Sequence, residues 1–414
     1  MRVLFTILGL CLACNASADF LIVSRNGNMR AEPSTASEIL EKIHTGDTLF
    51  LVDVVKTGEY WHVRGRASGQ EGWVYQTLVR KVGGDIETAA APGTVVDIRI
   101  LDVGAGLCAL IKMTGDKYVI YDAGSDAIRD GNRTLGQIKE YIPAGSTVEL
   151  MVLSHTDADH INAAEQVVRD YNVKKVLWTG FETGMIGGNT TGAFKRLRTM
   201  LQNRPNTENI NLNERDSSIA PGNNFSVGMA KFIFLCGFGS PLPEWTGLDR
   251  AEKLNGVSIV MKLEFGGNSV LFCGDAVGRH LNSAEDTVLA TEHFLVNNAA
   301  ALLPSTIIVA PHHGAKNGSS FAFLNLVKPK SVIFSAGHDH HHPTTRTANI
   351  YLQFTIVDSI YRTDRGDDEG TGEWPRGRRQ GCTDPFNDDN IQIQLRANGS
   401  YRVYYMTDNG PCVQ

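Results

Sequence analysis

The chain carries His155-Thr156-Asp157-Ala158-Asp159-His160, four potential metal ligands within six residues. They follow the apolar run Met151-Val152-Leu153 and so fall where a buried strand gives way to a helix. Imidazole and carboxylate together suit Zn²⁺, Mn²⁺ or Fe. The plainer reading, a helix start capped by Asp157, accounts for one acidic residue. It leaves two histidines interleaved with two aspartates unexplained. Other candidates stand at strand ends far away in sequence: Asp122 before Ala123-Gly124, Asp275 after Cys273-Gly274, and His312 and His313 between Pro311 and Gly314. Each alone is weak, since an aspartate after a strand is usually a turn residue. Together they are what a site built on rigid strands presents. The stretch His338-Asp339-His340-His341-His342 is open to two readings, an extra metal site or a loop of which only His342 nears the active-site mouth.

Elements able to position these residues can be read from the apolar pattern. Strands are predicted over 95–103, 107–113, 118–121, 148–153, 173–178, 225–235, 256–265, 269–273, 306–310 and 332–335. A helix should follow the His155–His160 run to about residue 171, with others over 194–201 and 285–296. A closing hairpin, 391–395 with 401–405, turns at Asn398-Gly399. Two sheets covered by helices is the expected architecture, an α/β fold.

Residues 19–82 differ, with short β-branched runs separated by Gly, Pro, Ser and Asn, the pattern of a small all-β barrel. Residues 83–94 read as a linker. At the start, Arg2, an apolar run from Val3 to Ala13 and Asn15-Ala16-Ser17-Ala18 read as a secretory signal peptide, residues 1–18. The run is short for a membrane anchor; a lipoprotein acylated at Cys14 ranks second. The mature chain is thus expected to be exported, periplasmic or extracellular, with no transmembrane segment. The 414 residues are 42% hydrophobic and 20% charged, a globular composition. The net charge of −6 argues against non-specific coating of nucleic acid. In an oxidising compartment Cys382 and Cys412, flanking the closing hairpin, are the first candidate disulfide, and Cys236 with Cys273 a second. Cys108 is then the thiol left over.

The N-terminal region resembles a bacterial SH3 domain through Asn28-Met29-Arg30, Pro33, Ser34, Ile39-Leu40, Gly46-Asp47, Trp61-His62-Val63 and Gly72-Trp73-Val74. Residues 95–414 resemble the metallo-β-lactamase superfamily, closest to the branch that includes the hydrolase domain of the competence protein ComEC. The matching stretches are Ile100–Gly106, Val119–Gly124, Ser154–His160, Asn255–Val260, Val270–Ala276, Pro311–Gly314, Gly337, His342-Pro343 and Tyr361–Asp364. The resemblance implies an αββα sandwich with the site along one edge of its two sheets. It implies Zn²⁺, one or two ions, with Mn²⁺ as the alternative. His155 and Asp157 would hold one ion, and Asp159, His160 and His313 the other. Asp275 would bridge them, and Asp122 would orient the ligand loop. His312 is the second choice to His313 as ligand, or faces the leaving group. A hydroxide held between the ions would be the nucleophile, oriented by Asp159. Asp157 stands where many members have His, and no His occurs between His160 and His280, where many place a third ligand.

The resemblance makes an exported metal-dependent phosphodiesterase or nuclease the leading expectation. Lys316 and Arg362 are the expected substrate-binding cations. Lys195-Arg196-Leu197-Arg198 and Arg376-Gly377-Arg378-Arg379 could grip a nucleic-acid backbone or could simply be solvated faces. A hydrolase of small esters, lactones or lactams is the alternative. A third reading is a cell-wall-binding protein, its SH3-like domain holding wall peptide and its catalytic domain degenerate.

Overall fold

The computed structural model describes residues 20–52, 57–65, 68–82, 95–125, 132–284, 286–337, 340–363, 373–374 and 389–407. The predicted signal peptide, the linker 83–94, Cys382, Cys412, His338, Asp339 and the Arg376–Arg379 cluster lie outside the described residues. Chain contacts divide into two compact units, Met1–Thr88 and Ala89–Gln414.

The first unit is an antiparallel sheet. Its strand order is Ile39–Ile43, Gly27–Arg30, Glu71–Tyr75, Tyr60–Gly65, Thr48–Leu51, Phe20–Val23, Val79–Val82. Alternate residues turn inward, as the two-residue period of a strand requires. Leu21, Val23, Met29, Ile43, Leu49, Val63 and Val74 form its core, and Trp61 packs against them. Trp73 instead stacks on His62, with ring centroids 4.5 Å apart.

The second unit stacks two sheets. One runs Glu208–Asn211, Lys175–Trp178, Thr147–Leu153, Lys117–Ala123, Cys108–Met113, Val95–Ile100, Ile391–Arg396, Tyr401–Tyr405. The other runs Asn224–Val227, Ala230–Cys236, Val260–Phe265, Asn268–Phe272, Ile307–Val309, Ser331–Phe334, Ser359–Arg362. Side chains alternate between two jobs. Leu150 and Val152 enter the core between the sheets with Val119, Phe232, Met261 and Ile393. Val148, Met151 and Leu153 face outward against Val167, Phe194 and Leu197 of the covering helices. Leu235, Leu271 and Ile308 meet Leu254, Leu295 and Phe323 on the far side. The layers are helix, sheet, sheet, helix, the αββα sandwich expected.

Several local expectations are corrected. The helix after His155–His160 is broken into Ala158–Ile161 and Ala164–Asp170. Ala163 N–H donates to the Ala123 carbonyl at 2.9 Å, outside the helix ladder, and so docks the ligand loop on the neighbouring strand. Residues 225–235 form a hairpin, turned at Gly228 with φ 58°. Gly256 ends a helix, Arg250–Gly256, instead of starting a strand. The sequence signal was the capping box: Asp249 accepts from Glu252 N–H, and Glu252 accepts from Asp249 N–H. The third predicted helix begins at Ala290 and ends at Asn298. Helices Asn132–Tyr141, Phe321–Val327 and Thr345–Leu352 were not foreseen. Cys236 and Cys273 are not paired: both are buried free thiols, as is Cys108. Cys236 Sγ points at the Ser258 carbonyl, 3.8 Å away.

Candidate metal centre

Every candidate ligand lies at the C-terminal end of a strand. Lys117–Ala123 and Thr147–Leu153 run parallel and deliver Asp122 and the His155–His160 loop to the same end of one sheet. Asn268–Phe272, Ile307–Val309 and Ser331–Phe334 are also mutually parallel and deliver Asp275, the His312-His313 pair and Ser335. Tyr121 ties the two ends together by donating to the Ile259 carbonyl at 2.6 Å. Gly124 is required by close approach. A Cβ there would lie 1.6 Å from the Asp159 carbonyl oxygen.

The histidines are oriented from behind. Asp122, fully buried, accepts from Ser154 N–H (2.6 Å), Ser154 Oγ–H (2.7 Å) and His160 Nδ1 (2.8 Å). With its proton committed to Asp122, Ser154 Oγ can only accept from His155 Nδ1, 3.0 Å away. His313 Nδ1 donates to the Ser335 carbonyl (2.6 Å) and His312 Nδ1 to Asn317 Oδ1 (2.7 Å). In each ring the Nδ1 side is held, which leaves Nε2 as the atom turned to the centre and available to a metal. Backbone strain supports the same geometry. His312 and His313 both have left-handed φ, 49° and 55°, which costs about 1–3 kcal/mol each and is characteristic of functional sites.

These Nε2 atoms converge on Asp275. Its Oδ1 lies 3.1 Å from His160 Nε2 and 3.5 Å from His313 Nε2. Its Oδ2 lies 3.4 Å from His312 Nε2 and 3.8 Å from His155 Nε2. His160 Nε2 and His313 Nε2 are 3.2 Å apart, and Asp159 Oδ2 is 3.6 Å from the latter. Asp157 Oδ2 is 3.5 Å from His155 Nε2. Ligand atoms around a tetrahedral ion with bonds of about 2.0–2.2 Å stand about 3.3–3.6 Å apart. His155 Nε2 and Asp275 Oδ1 are buried and make no hydrogen bond. Bare acceptors facing one another across such gaps are unfavourable unless a cation joins them. The residues therefore fit divalent metal. Two sets converge tightly, His155 with His160 and Asp275, and Asp159 with His160 and His313.

Electrostatics point the same way. Burial would raise the Asp159 and Asp275 carboxyls, but the imidazoles outweigh it. Asp159, facing His160 and His313, is lowered to about 2, and Asp275 falls well below the usual range. Burial would likewise depress His160, yet Asp275, Asp122 and Asp159 push it well above the ordinary imidazole value. Burial wins at His312 and His342, which stay low.

The predicted site residues His155, Asp157, Asp159, His160, Asp275 and His313 are thus brought together, with Asp122 and His312 against them. His342 lies at the edge, its ring 5.9 Å from His312 and stacked 6.4 Å from His313. Among the described residues, His340, His341 and His342 form no ligand group of their own. Lys316 is exposed on the loop after His313. Arg362 is a correction. It is 2% exposed, ion-paired with Glu373 and bonded to the Trp374 carbonyl at 2.7 Å, so it braces the fold and offers nothing to substrate. Sequence reasoning missed Ser154, Asn317 and the Ser335 carbonyl. Ser154 had a signal, its place beside His155; Asn317 and a backbone carbonyl had none.

Two outcomes follow from this geometry. Asp122→Asn keeps the side-chain shape but disturbs the acceptor that fixes the His160 tautomer, so metal affinity should fall about 10–100-fold in a chelator-competition titration. Unchanged affinity would show that Asp122 does not orient His160. Protons and metal also compete for His160 Nε2. Because its metal-free pKa is raised, loading must expel a proton near neutrality, and apparent affinity should rise with pH. Isothermal titration in buffers of different ionisation enthalpy reads that proton release, and its absence would refute the competition.

The description of the metallo-β-lactamase superfamily matches residues 101–338, and that of the bacterial SH3 domain residues 23–81. The chain is 27% identical over 239 residues to Recombination protein 2 of Haemophilus influenzae, covering 57% of this chain and 24% of that protein. It is 24% identical over 226 residues to ComE operon protein 3 of Bacillus subtilis, covering 53% and 24%. The match therefore spans about a quarter of either relative's length. Among solved structures, the metallo hydrolase Igni18 of Ignicoccus hospitalis aligns at TM-score 0.34 and 12% identity, covering 64% of this chain and 94% of that one. The chain belongs to the metallo-β-lactamase superfamily and carries a bacterial SH3 domain before it.

Proposed function

We propose that this protein is an exported phosphodiesterase that uses divalent metal, Zn²⁺ or Mn²⁺, to cleave phosphate diesters, nucleic acid among them. The observation that carries the reading is the buried Asp275 carboxylate, its two oxygens each turned to the Nε2 atoms of separate histidines. Bound there, divalent ions would acidify a coordinated water and neutralise charge developing on phosphate oxygens. Asp159 is ionised at neutral pH and its side chain is 26% exposed, so it can both ligate and orient the attacking water by accepting its hydrogen bond. Lys316, exposed beside the HHG turn, suits an anionic substrate. Lys195 and Arg196 are exposed on the helix Gly192–Gln202 and line a groove of about 400 Å³. Arg198 is 3.6 Å from Glu214 and is less available. The relatives' names, one of them for recombination, favour a nucleic-acid substrate over a small ester or lactone.

Purified residues 19–414 should hydrolyse bis-p-nitrophenyl phosphate and single-stranded DNA with added Mn²⁺ or Zn²⁺. Asp159→Ala should lower that rate by about 10²–10⁴-fold. Bound metal with turnover only of lactones or thioesters would move the assignment to a small-molecule hydrolase. No metal and no turnover would leave the wall-binding reading.

We further place the mature chain outside the cytoplasm, with the SH3 domain bound to wall peptide. The support is the basic start, the apolar run and the small residues before Asp19. No helix among the described residues is long and apolar enough to cross a membrane. Fractionation should recover a chain starting near Asp19 in the exported fraction, sedimenting with peptidoglycan unless residues 19–82 are deleted. An unprocessed cytoplasmic chain would overturn the placement.

A further inference from the structure

We infer that His312 is a ligand of the first metal position, taking the place of the absent third histidine. The inference rests on the metal-centre reading above and deepens it. The resemblance assigns that position His155, Asp157 and Asp275, and no histidine lies between His160 and His280 to supply a fourth; in the structure His155 converges with Asp275 and His160. His312 enters from the opposite sheet. Its Nε2 lies 3.4 Å from Asp275 Oδ2, the oxygen that also faces His155. This is the separation that two ligands of one tetrahedral ion adopt, about 3.3–3.6 Å. Asp275 thus divides its oxygens, Oδ1 toward His160 and His313, Oδ2 toward His155 and His312.

The ring of His312 is prepared as the rings of the other three are. Asn317 Oδ1 takes its Nδ1 proton at 2.7 Å, as Asp122 does for His160 and the Ser335 carbonyl for His313. Consecutive left-handed residues, His312, His313 and Gly314, turn two adjacent side chains toward one carboxylate, which an extended strand would send to opposite faces. His312 N–H also donates to the Gly274 carbonyl at 3.0 Å, locking the turn to the segment that carries Asp275. Asn255 completes the wall. With its amide oriented to satisfy its neighbours, it donates to Asp157 Oδ2 at 3.0 Å and to the Ala251 carbonyl at 3.3 Å. In that orientation the Asn255 amide donates to Asp157 and Ala251, not to His312, and its Oδ1 lies 3.4 Å from His312 Nε2. In this arrangement Asn317 is a positioning residue, acting on the metal only through His312.

Metal content decides the matter without reference to turnover. Metal-free residues 19–414 are titrated with Co²⁺ and Zn²⁺, following the cobalt absorption bands and the ions retained after gel filtration. The wild type should hold about two ions per chain. His312→Ala and His312→Gln should each hold about one, as should His155→Ala. The double variant His160→Ala/His312→Ala should hold none. Asn317→Ala should keep both ions but weaken one by about 10-fold or more. Thermal melts of the metal-free variants check folding, and the glutamine variant keeps the ring's volume roughly filled. Two ions bound to a folded His312 variant with unchanged affinities would overturn the assignment and leave the metal centre intact. A wild type that holds one ion, kept by His312→Ala and lost from His160→Ala, would also overturn it. A wild type that binds none would instead bring down the metal-centre reading as a whole.

Discussion

A carboxylate buried among imidazole nitrogens is unfavourable unless a cation or a proton joins them, and Asp275 imposes that demand on the rest of the fold. Its side chain is 4% exposed, and Oδ1 makes no hydrogen bond. The neighbouring imidazoles meet the demand because each is held by its other nitrogen. Asp122, Ser154, Asn317 and the Ser335 carbonyl are consequently as much part of the centre as the ligands. In the metal-free chain a proton drawn to His160 partly compensates the charge, which is the meaning of its raised pKa.

The scaffold makes this arrangement affordable by keeping irregular backbone at one end of regular strands. The core between the sheets, from Val119 and Val152 to Phe272 and Ile333, is continuous and apolar. The strand ends are therefore rigid, and short loops carry the strain. Gly124 lets the Asp159–His160 backbone lie against the first sheet, and Gly274, with φ 51°, lets the Asp275 segment pass Ser154. Behind the HHG turn, fully buried Glu292 accepts from the backbone N–H of Ser319 (2.6 Å) and Ser320 (2.8 Å). Arg279 Nε reaches the Lys316 carbonyl at 2.6 Å. These contacts fix the loop that carries Lys316 and Asn317 without touching the ligands.

The two halves of the chain use aromatic and cationic residues differently. In the SH3 unit the half-buried rings of His62 and Trp73 stack on one another. In the second unit Arg362 looked available from sequence because it lies at a strand end near the site. Tertiary packing encloses it with Glu373 and the Trp374 carbonyl, since a buried guanidinium without a carboxylate is not tolerated.

By itself the sequence determined the ligand types, the strand that precedes each, and the layered fold, because strand alternation and metal chemistry are both written in local residue order. Strand ends such as Met113, Leu153 and Trp178 could be read directly from apolar runs. The break between Ile161 and Ala164 could not, because it depends on the Ala123 carbonyl of another strand. Nor could the free state of Cys236 and Cys273, whose spacing allowed a bridge that the fold does not form. Which oxygen of Asp275 faces which histidine, and that His312 Nε2 comes within 3.4 Å of Asp275, were decided only by tertiary structure. Two left-handed residues and a hydrogen bond to Asn317 aim that ring, and direction in space is not encoded in the spacing of residue types.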